Sequence, residues 1–271
     1  MTAKTLFEKD IDFVNELVVE AGHLALKLQV SSQEINQAQP DSISIDEKIS
    51  HLLVEKLQNK FVNQLIISEE ALPEKFVLSK DRVWVIDPID GSDYYLANDT
   101  QYSIMIGLLI EGKPVYGWVY NPAASALYHG GPNRGAWFCD DNGKSKNIVV
   151  GSLSNKEPVR VILGRRDIKN NPWLENLSDI QIMQAGGIGY KVGKIFEDEA
   201  DVLMHLAGRL KIWDTAGPVA VAMGAGLEVG GEEIDELIYS KDSFVHNFAI
   251  VMGKKGSLDW FRSKIIPSWI Q

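Results

Sequence analysis

The chain has 271 residues, 45% of them hydrophobic and 24% charged, with a formal net charge of −10 at pH 7. That composition suits a globular protein with a large core or two fused lobes, and no apolar run is long enough for a bilayer span. The acidic excess argues against a nucleic-acid polymer as partner, which normally meets a basic face, though a small anion can still be held through bound cations.

The amino-terminal MTAKTLFEKDIDF carries acids where a secretion signal would have its apolar core. Cys139 is the single cysteine, so no disulfide framework can form within one chain. Both features lead us to expect a cytoplasmic protein.

Val14, Leu17, Val18, Ala21 and Ala25 recur at helical spacing and predict an amphipathic helix over residues 6–28. The polar stretch SSQEINQAQPDS separates it from a second helix carrying Ile49, Leu52, Leu53 and Leu57. LIIS, VWVI, YSIMIGLLI and PVYGWVY read as strands, the last two joined through EGK as an antiparallel hairpin. Asn142-Gly143 signals a further hairpin turn. The first half is therefore expected to hold helices followed by a mainly antiparallel sheet.

Beyond a boundary near residues 151–158 the pattern alternates. VRVIL reads as a strand, NPWLENL as a helical turn, GYKVGKIFEDE as a helix and ADVLMHL as a strand. WDTAGPVAVAMGA is again helical, GLEVGG and FAIVMG are strand-like, and SLDWFRSKI closes the chain as a helix. That alternation describes an α/β half, so the expected organisation is residues 1–152 and residues 153–271.

Four acidic stretches bear on chemistry. VWVIDPIDGSDYY sets Asp87 and Asp90 around Pro88, directly before Gly91 and Ser92. Proline has no N–H and a fixed φ, so the strand ladder is expected to stop at Pro88, leaving both carboxylates at a strand end. IISEEAL places Glu69 just after a strand, KIWDTAGP places Asp214 directly before a helix, and SISIDEKIS places Asp46 in a first helical turn. Each has a structural alternative. Asp87 and Asp90 suit a solvated turn, Glu69 a solvated side chain, and Asp214 an N-cap. Asp46 suits the helix dipole beside the capping box of Ser44 and Glu47.

Taken together, these acids resemble the oxygen-only ligand set that a hard cation such as Mg²⁺ requires. A pair of such ions about 3.5–4 Å apart can hold the attacking and leaving oxygens of a phosphoryl transfer. The Gly-Ser turn beside them offers N–H groups to a phosphate. The 5 histidines and one cysteine show no H-x-x-x-H or C-x-x-C spacing, which argues against zinc.

In order and approximate spacing, IISEE, WVIDPIDGS and IWDTAGPVAVAMGAGLEV resemble the three signature blocks of the inositol monophosphatase superfamily, and the resemblance covers nearly the whole chain. It implies an α/β fold with an α+β first half, arranged as a five-layer α-β-α-β-α sandwich of the inositol monophosphatase/fructose-bisphosphatase type. It also implies a lithium-sensitive phosphomonoesterase using two or three Mg²⁺ ions per site on a small phosphorylated substrate, with no membrane partner. A homodimer is compatible with it.

Carried over residue by residue, the resemblance makes Glu69, Asp87, Asp90, Asp214 and the carbonyl of Ile89 metal ligands. Gly91 and Ser92 fall where the phosphate is cradled, Ser92 replacing the commoner threonine. Asp46, Ser92 and Glu69 fall where the attacking water is oriented, although the usual Val-Thr-x-x-Asp reads SISID here. The segments GRRDIKN, AGGIGYKVGKIFEDEADVLMH and KIWDTAGP look more like the 3′(2′),5′-bisphosphate nucleotidases than the inositol phosphatases. Gly186, Gly187, Gly189 and Lys191 match a glycine-and-lysine block near the nucleotide. Arg165, Gly187, Lys191 and Asp214 are then substrate contacts, with Arg166 a further cation in the same stretch.

One departure is Asp93, which stands where those nucleotidases usually carry lysine. The glycines are not a dinucleotide fingerprint, because Val192 occupies the place of its last glycine; close helix packing is their structural alternative. An aspartyl-phosphate phosphatase would need D-x-D, whereas Asp87 and Asp90 are spaced D-x-x-D. A silent nucleotide-binding regulator would not need the full ligand set. The expected reaction is release of the 3′-phosphate of adenosine 3′,5′-bisphosphate, with inositol 1-phosphate and fructose 1,6-bisphosphate as the rival substrates.

Overall fold

The computed structural model describes residues 3–34, 44–72, 82–154, 158–239 and 243–269. Helices α1 (Ala3–Glu34) and α2 (Ile45–Lys60) lead into β1 (Leu65–Ser68) and β2 (Arg82–Asp90). A one-turn helix, α3 (Ser92–Leu96), precedes β3 (Ser103–Ile110), β4 (Lys113–Asn121), β5 (Ala126–Gly131), β6 (Gly135–Asp140) and β7 (Ser145–Ile148). These seven strands form one sheet in sequence order, β1 parallel to β2 and the rest antiparallel.

The second sheet runs β11-β12-β10-β8-β9. It contains β8 (Val159–Leu163), β9 (Ile180–Gln184), β10 (Val202–His205), β11 (Glu228–Gly230) and β12 (Ile250–Gly253). Helices α4 (Arg165–Asn170), α5 (Ile188–Phe196) and α6 (Ile212–Gly224) connect these strands. The chain ends in α7 (Ser257–Trp260), a π turn (Phe261–Ile265) and α8 (Ile266–Trp269).

Alternate residues along each central strand enter different cores, as the period of two demands. On β2, Trp84 and Ile86 pack with Val14, Leu17, Leu53 and Leu57 of α1 and α2. Val83 and Val85 face the other way, against Val192 of α5 and Ala216 and Val219 of α6. On the second sheet, Ile162, Leu203 and Ile250 join that same middle core, while Val161, Met204 and Val251 pack on Leu258, Phe261 and Ile265. Both sheets are covered on both faces. The result is the five-layer α-β-α-β-α sandwich expected from the resemblance.

The hairpin between β3 and β4 turns on Glu111 and Gly112, both at positive φ (54° and 74°), as a two-residue turn of the primed type requires. The Asn142-Gly143 signal also marks a hairpin, with Gly143 at φ 77°. The expected stop at Pro88 is corrected: β2 continues to Asp90. The register shifts between Asp87 and Asp90, and pairing resumes with Asp90 opposite Ser103. A bulge accommodates a residue without an N–H, so the proline bends the strand instead of ending it. Helix α6 begins at Ile212, which puts Asp214 inside its first turn and not ahead of it. The structure adds α3, α4, β5 and β9, which the sequence patterns above do not mark.

Gly107 and Gly117 are cross-strand partners beneath α6. A Cβ at Gly117 would lie 2.1 Å from the Gly217 carbonyl oxygen, and one at Gly107 2.5 Å from the Ala216 Cβ. The helix backbone therefore rests directly on the sheet, which fixes where Asp214 emerges. Gly117→Ala is expected to lower stability by about 1–3 kcal/mol through overpacking. A urea midpoint equal to the wild type's would show that α6 is not seated this closely. Among the described residues, no helix is long and apolar enough to cross a membrane.

Candidate active site

The parallel strands of both sheets bring their carboxyl ends to one cavity of about 440 Å³. Ligands of open α/β sheets collect at such strand ends. From the first sheet come Glu69 after β1, Asp87, Ile89 and Asp90 of β2, and Gly91 to Tyr94 beyond it. From the second come Gly164 to Asp167 after β8, Ala185 to Ile188 after β9, and His205 at the end of β10. Lys191 of α5 and Asp214 of α6 complete the lining used below.

One carboxylate oxygen from each of Asp87, Asp90 and Asp214 falls within 4.8 Å of the others. Asp87 is 1% exposed, and its Oδ1 has no hydrogen-bond partner among the described residues. Asp90 accepts the Ile188 N–H at 3.0 Å and the Gly189 N–H at 2.7 Å. It thereby satisfies the free donors at the start of α5, from a strand in the other half of the chain. Gly187 is needed at that junction, because a Cβ there would lie 2.3 Å from Asp90 Oδ2. Asp214 accepts the Lys211 N–H at 2.5 Å, closing the first turn of α6.

Burial, followed by the charges of Asp90 and Asp214, holds the Asp87 carboxyl well above the usual carboxylate range. Asp90 is also raised by burial, opposed by the N–H groups of Gly189 and Ile188 and by Lys191. Asp214 is pushed up to about 7 by burial, opposed by the Lys211 N–H and reinforced by Asp90 and Glu69. Like charges this close resist joint ionisation. An orphaned buried carboxylate oxygen, oxygen-only donors and mutual repulsion together fit a hard divalent cation.

Ser92 donates to the Ile89 carbonyl at 2.9 Å and lies 3.4 Å from Asp46 Oδ1. Burial raises the Asp46 carboxyl, with the Ser92 contact opposing it. Ser44 and Glu47 form the reciprocal capping box, and Asp46 in the same turn accepts from the Ser92 hydroxyl. Asp46 meets the site through Ser92 and does not itself border the cavity. Its neighbours Ser42 and Ile43 lie outside the described residues. Gly91 adopts φ 94°, open to glycine at little cost, and its carbonyl accepts the Tyr94 N–H at 2.9 Å.

Glu69 lies near the carboxylates with its Oε1 3.8 Å from Lys211 Nζ, and that ammonium sits 5.1 Å above the Trp213 ring. Arg165 borders the cavity, 68% exposed, 3.8 Å from Asp93 Oδ2. Lys191 is 4% exposed; burial lowers its basicity, while Asp90, Asp167 and Asp214 raise it. Sequence reasoning overlooked Lys211, Asp167 and His205. For the last two the usable signal was a polar residue closing or following an apolar strand, as with Asp87.

The inositol monophosphatase family model matches residues 11–247. The 3′(2′),5′-bisphosphate nucleotidase CysQ of Buchnera aphidicola is 26% identical over 91% of this chain and 94% of its own length. Its counterpart in Salmonella typhimurium is 26% identical over 87% of this chain and 96% of that protein. Inositol monophosphatase 1 of Sus scrofa is 26% identical over 81% and 82%. Among solved structures, an IMPase of Thermotoga maritima superposes with a TM-score of 0.76 at 19% identity, covering 96% of each chain. SuhB of Mycobacterium tuberculosis gives 0.74 at 19% identity over 93% of this chain and 94% of that one.

Proposed function

The chain belongs to the inositol monophosphatase family and is a phosphoric monoester hydrolase, and from that premise we propose that it converts adenosine 3′,5′-bisphosphate to AMP and phosphate. The nucleotidase relatives support the reading. So does one observation: Arg165, Arg166 and Lys191 border the same cavity as the carboxylates and the Gly91-Ser92 turn. A substrate with two phosphates needs both ends, one at the acids and one at fixed cations. On this reading the chain divides at residues 152 and 153 into a half carrying most of the cation ligands and a half supplying Asp214 and the substrate contacts.

Glu69, Asp87, Asp90, Asp214 and the Ile89 carbonyl would hold two or three Mg²⁺ ions, which supply Lewis-acid polarisation and charge neutralisation at the phosphate. Li⁺, similar in size with half the charge, would compete for the same carboxylates. Gly91 and Ser92 take the phosphate oxygens through backbone N–H groups at the start of α3. Asp46, with Glu69 nearby, would set the Ser92 hydroxyl to orient the attacking water, whose proton would reach Asp46 by way of that hydroxyl. Gly187 and Lys191 hold the nucleoside side, and Arg165 takes the second phosphate. We place the protein in the cytoplasm, acting on a free small molecule, and a homodimer as its assembly.

The inositol 1-phosphate reading gains from one feature: Asp93 beside Arg165 and Asp167 beside Lys191 reduce the positive field where a second phosphate would lie. Phosphate release across bisphosphate nucleotides, inositol phosphates and sugar bisphosphates separates the readings. Arg165→Ala is expected to cost about 1.5–3 kcal/mol, roughly ten- to a hundredfold in kcat/KM, on adenosine bisphosphate alone. An equal loss on inositol monophosphate, or a wild-type preference for it, defeats the nucleotidase reading.

A further inference from the structure

A second polar cluster borders the cavity, apart from the carboxylates that would hold cations. Asp167 lies in α4 just after β8 and is 2% exposed. Its Oδ1 accepts the Leu206 N–H at 2.9 Å and the Ala207 N–H at 3.3 Å. Its Oδ2 lies 3.3 Å from Nδ1 of His205, the last residue of β10. Burial would raise this carboxyl, but the His205 contact and the Leu206 N–H more than offset it and leave it below the usual range. In the neutral ring, a carboxylate accepting from Nδ1–H fixes the tautomer whose Nε2 carries no proton.

The consequence falls on the other side of the ring. His205 Nε2 is then an acceptor, and it is buried with no hydrogen-bond partner among the described residues. A buried acceptor left unmatched in a folded protein calls for an explanation. The side chain is 16% exposed, and the ring borders the cavity. A phosphate oxygen ionised at neutral pH brings no proton to such an acceptor; a hydroxyl or amino group does.

We propose that His205, oriented by Asp167, forms a subsite for the alcohol half of the substrate, with Nε2 accepting a hydrogen bond from a neutral hydroxyl or amino donor. This rests on the phosphomonoesterase reading but not on the choice of nucleotide. Lys191 stands near Asp167: a Cβ at Gly164 would lie 3.4 Å from Asp167 Oδ2 and 3.5 Å from Lys191 Nζ. The cation thus neighbours the carboxylate that orients His205.

The test uses the full chain with Mg²⁺ and three substrates. These are the preferred hydroxylated phosphomonoester, its deoxy analogue lacking one hydroxyl, and p-nitrophenyl phosphate, whose alcohol half has no donor. In the wild type one deoxy analogue should lose about tenfold in kcat/KM, the scale of one hydrogen bond between neutral groups. His205→Phe should bring that pair together while leaving p-nitrophenyl phosphate within about twofold, as the lost contact leaves the phosphate chemistry intact. In ¹⁵N-histidine-labelled wild-type protein, the unprotonated Nε2 resonance should shift with the hydroxylated product and stay put with the deoxy one. Equal losses on all three substrates, deoxy discrimination surviving in His205→Phe, or an unmoved Nε2 resonance would each overturn the subsite. Should bisphosphate nucleotides prove not to be substrates, the nucleotidase reading falls, and the same comparison is made on the substrate that is preferred.

Discussion

Asp87→Asn should lower phosphate release by about a thousandfold while raising the thermal midpoint of the protein freed of divalent ions. The activity loss follows from the proposed ligand role. Charge stabilisation by a held cation is worth several kcal/mol, and about 4 kcal/mol corresponds to a thousandfold. The stability gain follows from burial. Asp87 is 1% exposed, faces Asp90 and Asp214, and leaves Oδ1 unpartnered. Its carboxyl is raised in the folded state, so the folded protein binds more protons than the unfolded chain. The destabilisation it causes is absent below the ordinary carboxylate range and grows as pH rises toward the folded value. The midpoint gain on replacement should accordingly be larger at pH 8 than at pH 5. Mg²⁺ should raise the wild-type midpoint more than the variant's, because a ligand that binds only the folded state stabilises it. Near-normal turnover at ordinary Mg²⁺, or a lower midpoint at pH 8, would remove Asp87 from the ligand set.

Lys191→Met is expected to have the second large effect, and across all substrates. The lysine is 4% exposed, and its charge is shared with Asp90, Asp167 and Asp214. Removing one partner from a buried ionic group leaves uncompensated charge, at about 3–5 kcal/mol. Asp90 would then be less able to stay ionised, and it is the group that both caps α5 and faces the cation site. Turnover of bisphosphate nucleotides, inositol phosphates and p-nitrophenyl phosphate should fall together, with a lower urea midpoint. Arg165→Ala should behave differently, since that side chain is exposed and stands beside Asp93. A Lys191→Met loss confined to bisphosphate nucleotides would instead assign its charge to the second phosphate.

Much of this protein is legible in its sequence. Apolar residues at periods of two and 3.6 mark the strands and helices whose side chains enter the three main cores, because burial is encoded residue by residue. Asp87, Asp90, Glu69 and Asp214 stand out only as a set, because each alone suits a turn, a solvated side chain or an N-cap. The turn at Gly91 is legible for a local reason: glycine directly after a strand-end acid, where the backbone takes φ 94°.

What only the tertiary structure decided is which ends meet. That Asp90 caps α5, that Lys191 sits among three carboxylates, and that His205 faces Asp167 all join segments far apart in the chain. These pairings depend on two helices being held between two sheets. For α6 the spacing is set by the contact of Gly107 and Gly117 with the backbone at Ala216 and Gly217. No local pattern reports that contact, since a glycine in a strand reads equally as weakness or as close approach. Pro88 shows the same limit from the other side. Its chemistry forbids a ladder hydrogen bond, but only the neighbouring strand, resuming register at Ser103, decides that the strand continues.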